Sequence, residues 1–167
     1  LHEGYIYPKE TRFVRDLLRK RLFLVRQQTS LILSFQGLVS RITGQGVNGN
    51  FVKRLSVEDV TELFEDENVI LSGQANIAVL QELIVQIKLI QEATMNKVSA
   101  VPDLERLQRI RGIGAVLGLT IYLETGDIGR YSKAGNYASY CRCVKSEERS
   151  NGKKKGNGNR RNGNKYL

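Results

Sequence analysis

Between Pro8 and Ile42 the chain holds a single glycine, Gly37, and no further proline, and within that run leucines recur every seven residues at Leu17, Leu24, Leu31 and Leu38. Few folds accept such a stretch except as one long helix. Pro8 suits its start, because the missing N–H costs nothing in a first turn. A parallel series, Leu18, Leu22, Val25, Thr29, Ile32, Gln36 and Val39, steps by four and three. Together the two series make a broad apolar face on a helix of about 34 residues, roughly 50 Å long at 1.5 Å per residue. Gly44 and Gly46 end it.

A helix of that length must bury its stripe against a partner. A short acidic helix is expected from Ser56 to Phe64, with Ser56 as cap and Asp59 in the capping-box position. A second long helix follows from about Gln74 to Lys97, with Ile77, Leu80, Ile84 and Ile87 on one face and Val79, Leu83 and Ile90 beside it. The two long helices predict an antiparallel hairpin that also pairs with another copy of the chain, although a plain bundle core fits the same residues. After Pro102, Leu104, Leu107 and Ile110 begin a new apolar helix. It breaks at Gly112-Ile113-Gly114 and resumes through Leu117, Ile121 and Leu123, and a last helix is expected from Ser132 to Tyr140. Asn and Gly dominate Asn151 to Asn164, which predicts an irregular tail. The expected fold is all-α: a helical hairpin or coiled-coil linker over 1–100, a helix-hairpin-helix domain over 101–145, and a basic, partly disordered tail over 146–167.

The net charge of +9 favours a polyanionic partner, and +7 of it lies between Arg142 and Leu167. Cys141 and Cys143 are too close to staple a fold and too few for a zinc site, so they read as reduced thiols of a cytoplasmic protein. His2 is the only histidine and sits at an end expected to fray, which excludes a histidine-based triad or metal site. No uninterrupted apolar run approaches 18 residues, so no membrane span or membrane partner is expected. No signal peptide is visible.

Three features point to nucleic acid. Arg12, Arg15, Arg19 and Arg26 fall in one stripe of the first helix, turned away from the leucines. A solvated charged face accounts for such a stripe, and so does a grip on phosphates through forked guanidinium donors. The pattern around Gly112, Ile113 and Gly114 has the form of a helix-hairpin-helix, whose exposed N–H groups at the next helix start hold a phosphate without reading bases. Ile113 is expected to plug into the core and fix the turn. Finally, Arg149, Lys153, Lys154, Lys155, Arg160, Arg161 and Lys165 line the tail and suit salt-dependent phosphate binding. Spacing alone reads Ser150, within that run, as a polar linker residue, since nothing local would activate its hydroxyl.

The stretch from Leu107 to Leu167 resembles the C-terminal domain of the insertion-sequence-110 family of DEDD transposases. The residues that carry the resemblance are the Gly112-Ile113-Gly114 turn, Glu124-x-Gly126-Asp127-Ile128 with Arg130-Tyr131, Ala138-Ser139-Tyr140, Ser150-x-Gly152-Lys153, and the closing Asn162-Gly163-Asn164-Lys165-Tyr166-Leu167. Upstream, Tyr7-Pro8-x-x-Thr11-Arg12 and Arg15-Asp16-Leu17-Leu18-Arg19 look like the start of that family's coiled-coil linker. The resemblance implies an N-terminal RuvC-like nuclease domain with four metal-binding carboxylates, absent from this sequence, and a structured bridge RNA that guides donor and target DNA. It also implies a serine nucleophile, which by position in the Ser-x-Gly-Lys motif is Ser150. No metal or other cofactor is expected in this chain itself; a divalent metal, Mg in the usual case, is expected with the nuclease carboxylates.

The sequence departs from that pattern in Glu148-Arg149, where many relatives carry His-Ser, and in Gly118, where a small alanine is common. A helix that the family carries after the Tyr-Leu is absent. Glu65, Asp66 and Glu67 are adjacent and point apart, so they do not replace the nuclease carboxylates. The chain therefore reads as a fragment of a prokaryotic, nucleoid-associated DNA transposase, inactive on its own. The alternatives are a non-catalytic nucleic-acid-binding module and a helical dimerisation scaffold.

Overall fold

The structure, a computed structural model, describes residues 5–97, 101–144, 147–157 and 163–167. It is mostly helical, in the order α1 (Lys9–Thr43), α2 (Gly49–Val52), α3 (Glu67–Lys97), α4 (Pro102–Gln108), α5 (Ala115–Thr125) and α6 (Ala134–Tyr140), followed by strands β1 (Glu147–Ser150) and β2 (Lys153–Asn157). Single 3-10 turns lie at Asp59–Glu62 and Ile128–Arg130. Contacts divide the chain into two compact units. One comprises Leu1–Asp16 with Met95–Leu167, the other Leu17–Thr94, so the division falls inside α1 and α3.

In the unit Leu17–Thr94 the long helices run antiparallel. Arg21 donates to Gln91 Oε1 at 2.8 Å near one end, and near the other the Phe35 ring lies beside Gly73. The core gathers Phe35, Leu38 and Val39 of α1, Ile77 and Leu80 of α3, and Val52, Leu55, Val60 and Phe64 of the connection. Among the described residues Phe35 is the largest fully buried side chain, in edge contact with Phe64, and its burial contributes about 2–3 kcal/mol. Leucine counting alone does not single it out. Along α1 this unit buries Leu18, Phe35, Leu38 and Val39, so the row of sevens supplies Leu38, the parallel row supplies Leu18 and Val39, and Phe35 lies in neither. Burial pushes the Arg21 guanidinium below its ordinary range.

The acidic connection is a 3-10 turn and not an α-helix, yet its capping box is closed. The Ser56 N–H donates to Asp59 Oδ2 at 2.7 Å and the Asp59 N–H to Ser56 Oγ at 3.1 Å. α3 begins at Glu67, a full turn and more before Gln74, because Asp66 Oδ1 accepts from the N–H groups of Asn68 and Val69 and caps the helix. By length and composition α3 could cross a membrane, with a mean hydropathy of 1.3 over its most apolar 18-residue window. Interspersed Gln, Asn and Glu hide that average from a search for an uninterrupted apolar run. Its Gly73, Ile77, Leu80, Ile87 and Thr94 are buried.

The tail corrects an expectation. Over residues 147–157 it is not irregular: β1 and β2 form an antiparallel ribbon, whereas residues 163–167 hold no regular element. Asn151 and Gly152 both take positive φ, 51° and 74°, which is the twist of a type I′ turn and matches that of the flanking strands.

Candidate nucleic-acid interface

The site lies in the unit that joins the chain's start to Met95–Leu167, and it has three parts. In the first, α4 and α5 are joined by a tight turn in which the Ile113 N–H donates to Ile110 O at 3.0 Å and Gly112 has φ 95°. Gly114 is the N-cap of α5 and brings no side-chain acceptor to the first turn's N–H groups. Ile113 is half-buried and rests over Gly118, where an added Cβ would lie 3.4 Å from Ile113 Cγ2 and 3.2 Å from Leu104 Cδ1. That contact holds α4 close to α5. Arg109 and Arg111 are exposed at this turn, and sequence reasoning passed over both. Their only signal was proximity to the glycines. Arg106 is exposed and bonded to Asp103 at 3.2 Å.

The second part is an arginine–tyrosine cluster. Tyr7 donates to Glu124 O at 2.5 Å and lies 2.9 Å from the Tyr140 hydroxyl. The Arg130 guanidinium sits 4.3 Å from the Tyr5 ring centre, 4.5 Å from that of Tyr131 and 4.8 Å from that of Tyr140, and it is hydrogen-bonded to the Tyr131 hydroxyl. Arg15 stacks on Tyr7 at 3.7 Å with its side chain 11% exposed, and Arg12 donates to Tyr7 O at 2.9 Å. The arginine stripe of α1 is thus divided in its surroundings. Arg12 and Arg15 turn to tyrosines, Arg19 is half-buried and engaged, and Arg26 is exposed.

This cluster has an electrostatic signature. Burial, followed by the hydrogen bond to Tyr140, pushes the Tyr7 phenol up to about 12. Burial also raises Tyr131 and Tyr137. For Tyr140 burial acts upward too, but hydrogen bonds to Tyr7, Asn164 and Arg130 outweigh it and bring the phenol below its usual value. A phenol raised by folding stabilises the fold fully below the unfolded value near 10, and that contribution is lost as pH rises through the folded value. A spectrophotometric titration should therefore find Tyr140 ionising before Tyr7, Tyr131 and Tyr137, which ionise only as near-ultraviolet circular dichroism is lost above pH 10. All phenols titrating together near 10 in a folded protein would contradict the cluster.

The third part is the ribbon with the segment that follows it. Ser150 and Lys153 are direct cross-strand partners flanking the Asn151-Gly152 turn, and both are exposed. Arg149 pairs with Lys154 and Glu148 with Gly156, which leaves Lys155 as the extra residue of a bulge. Lys154 Nζ pairs with Glu147 at 3.3 Å. Among the described residues neither the Ser150 hydroxyl nor the Lys153 amine has a hydrogen-bond or ion-pair partner. Arg160 and Arg161 lie outside the described residues. The end of the chain returns to the helices: the Asn164 N–H donates to Tyr140 O at 2.7 Å, and its side-chain amide donates to Glu124 Oε2 at 2.7 Å and to the Tyr140 hydroxyl at 3.0 Å. Among the described residues Glu124, only 1% exposed, and Asn164 are, with Thr125, the buried polar side chains of this unit. Lys165 is exposed, its amine 5.0 Å from the Tyr166 ring centre.

Among the described residues no group of three or more His, Cys, Asp or Glu could hold a metal ion. The cysteines Cys141 and Cys143 are free thiols. The arrangement offers an unpaired hydroxyl, amines and guanidinium groups to a polyanion. No curated protein and no solved structure matches the chain. A family model does match: residues 104–167, which hold the α4–α5 turn, the ribbon and the closing segment, are similar to the transposase IS116/IS110/IS902 family.

Proposed function

We propose that this chain is the linker and serine-bearing part of an insertion-sequence transposase of that family, acting on DNA with Ser150 as the nucleophile. The observation that carries the reading is the position of Ser150. It is an unpaired, exposed hydroxyl at the tip of a lysine-rich ribbon, inside the segment that matches the transposase family. In the reaction, Ser150 Oγ bonds to phosphorus while the bond to a deoxyribose oxygen breaks, and that oxygen leaves with the proton the serine gives up. The product is a phosphodiester between serine and DNA. Among the described residues no cluster fits a metal ion. The metal-binding carboxylates, of the RuvC-like kind, complete the site from outside this chain.

Around that step the rest of the interface holds nucleic acid. The α4–α5 turn, read as a helix-hairpin-helix, presents first-turn N–H groups of α5 beside Arg109 and Arg111, a sequence-independent phosphate contact. Guide RNA binds to the same basic surfaces, and the protein works at the nucleoid in the cytoplasm. Exposed Phe23, Leu33, Leu71, Val79, Val85 and Leu89 on the long helices support self-association there. A second reading, a module that binds nucleic acid without cutting it, is supported by the lysine-rich ribbon and the α4–α5 turn, which hold phosphates without any nucleophile.

The test is covalent trapping. Whole transposase incubated with a nicked suicide DNA substrate should yield a protein–DNA adduct resistant to denaturant, and the nucleotide should map to the peptide containing Ser150. An adduct on another residue overturns the serine assignment, and the absence of any adduct favours the second reading.

A further inference from the structure

Resting on that reading, we propose that Lys153 is the phosphate-holding partner of Ser150. The two residues form, on one face of the ribbon tip, a seat for a single DNA phosphodiester.

The argument starts from the turn. A two-residue loop with positive φ at Asn151 and Gly152 makes Ser150 and Lys153 the first cross-strand pair. Directly paired residues project from the same face of a ribbon, with Cβ atoms about 5 Å apart. A serine hydroxyl and the end of a lysine side chain at that spacing reach one phosphate together. One offers the attacking oxygen and the other a positive charge to a non-bridging oxygen. The neighbouring lysines are placed differently. Lys154 belongs to the next pair, which projects from the opposite face, and its amine is tied to Glu147 at 3.3 Å. Lys155 is the unpaired residue of the bulge, out of register with the serine. So among the three consecutive lysines only Lys153 combines the serine's face with a free amine. An ammonium is a compact point charge on a flexible stem, suited to following phosphorus as its oxygens take up charge. Spacing in the sequence does not give this, since Ser150 and Lys153 are brought together by the turn.

Two measurements test it. The first uses this chain with Ser150→Cys in a Cys141→Ser, Cys143→Ser background, and reads iodoacetamide alkylation of the new thiol near neutral pH. Lys153→Met should slow alkylation about fourfold, the Boltzmann factor for removing one unit charge about 5 Å away in water. A short DNA duplex should protect the thiol, and protect it less once Lys153 is methionine. An alkylation rate indifferent to Lys153 overturns the proposal, and so does protection by an RNA duplex alone. The second measurement is strand exchange by the whole transposase. Lys153→Met should lower kcat about a hundredfold at saturating DNA. Lys153→Arg should recover most of the loss, and Lys154→Met should act by raising KM. If Ser150→Ala abolishes exchange while Lys153→Met keeps kcat, the phosphate seat is wrong and the serine reading stands. If Ser150→Ala leaves exchange intact, the serine reading is the one that falls.

Discussion

Ser150→Ala is expected to lower strand exchange by at least about a thousandfold while leaving both DNA affinity and folding nearly unchanged. The size of the loss follows from covalent chemistry. A nucleophile has no partial substitute, and losses of this order accompany removal of the attacking atom in other enzymes. The selectivity follows from the structure. The Ser150 hydroxyl is exposed and bonded to nothing among the described residues, so its removal opens no cavity and strands no buried donor. Surface substitutions of that kind shift stability by about half a kcal/mol or less. On the proposed reading affinity rests on Lys153, Lys154, Lys155 and the exposed arginines, and neutralising phosphates does not involve the serine. DNA binding within about twofold of wild type, together with exchange at background, is the expected pair of results. Retained exchange removes Ser150 from the chemistry and leaves the basic ribbon as a binding element.

How much of this was open to a reader of the sequence differs from element to element. The long helices were legible because a run without breakers, with apolar residues at fixed steps, admits one regular structure. Phe35 was not legible as the centre of the core. Its place depends on which of several overlapping apolar rows faces α3, and the two helices decide that jointly. The capping box at Ser56 and Asp59 was legible as a local pattern and holds here around a 3-10 turn. The ribbon escaped notice although Asn151-Gly152 is the strongest short signal of a type I′ turn. Its flanks are charged and lack the alternating apolar residues that mark a half-buried strand. The tyrosines were visible only as parts of a resemblance. That Tyr7 and Tyr140 meet at Glu124 is a matter of contacts across more than a hundred residues, and no local pattern encodes it.

Gly163→Ala should destabilise the unit containing α4, α5 and α6 by about 3 kcal/mol or more, enough to release the end of the chain. Gly163 has φ 88°, and a Cβ there would lie 2.5 Å from Tyr140 O and 3.0 Å from Ser139 O. Both are backbone atoms at the C-terminus of α6, so no side chain can rotate away to make room. Relieving the clash means lifting residue 163, and with it Asn164. The amide hydrogen bond to Tyr140 O is then lost, together with the donor that Asn164 gives to the Glu124 carboxylate. Glu124 is 1% exposed, and a buried carboxylate deprived of a donor costs about 1.5–3 kcal/mol. The left-handed backbone adds about 1–2 kcal/mol for any residue with a side chain. Gly152→Ala separates these contributions. Gly152 also has positive φ, 74°, but open space surrounds its Cβ position, so only the backbone cost should appear, about 1–2 kcal/mol. Urea unfolding of the two variants, with carboxypeptidase digestion as a probe of the end of the chain, decides the matter. If Gly163→Ala is no less stable than Gly152→Ala, and its end resists digestion equally, then the contacts of Asn164 with Tyr140 and Glu124 do not hold the closing segment to the helices.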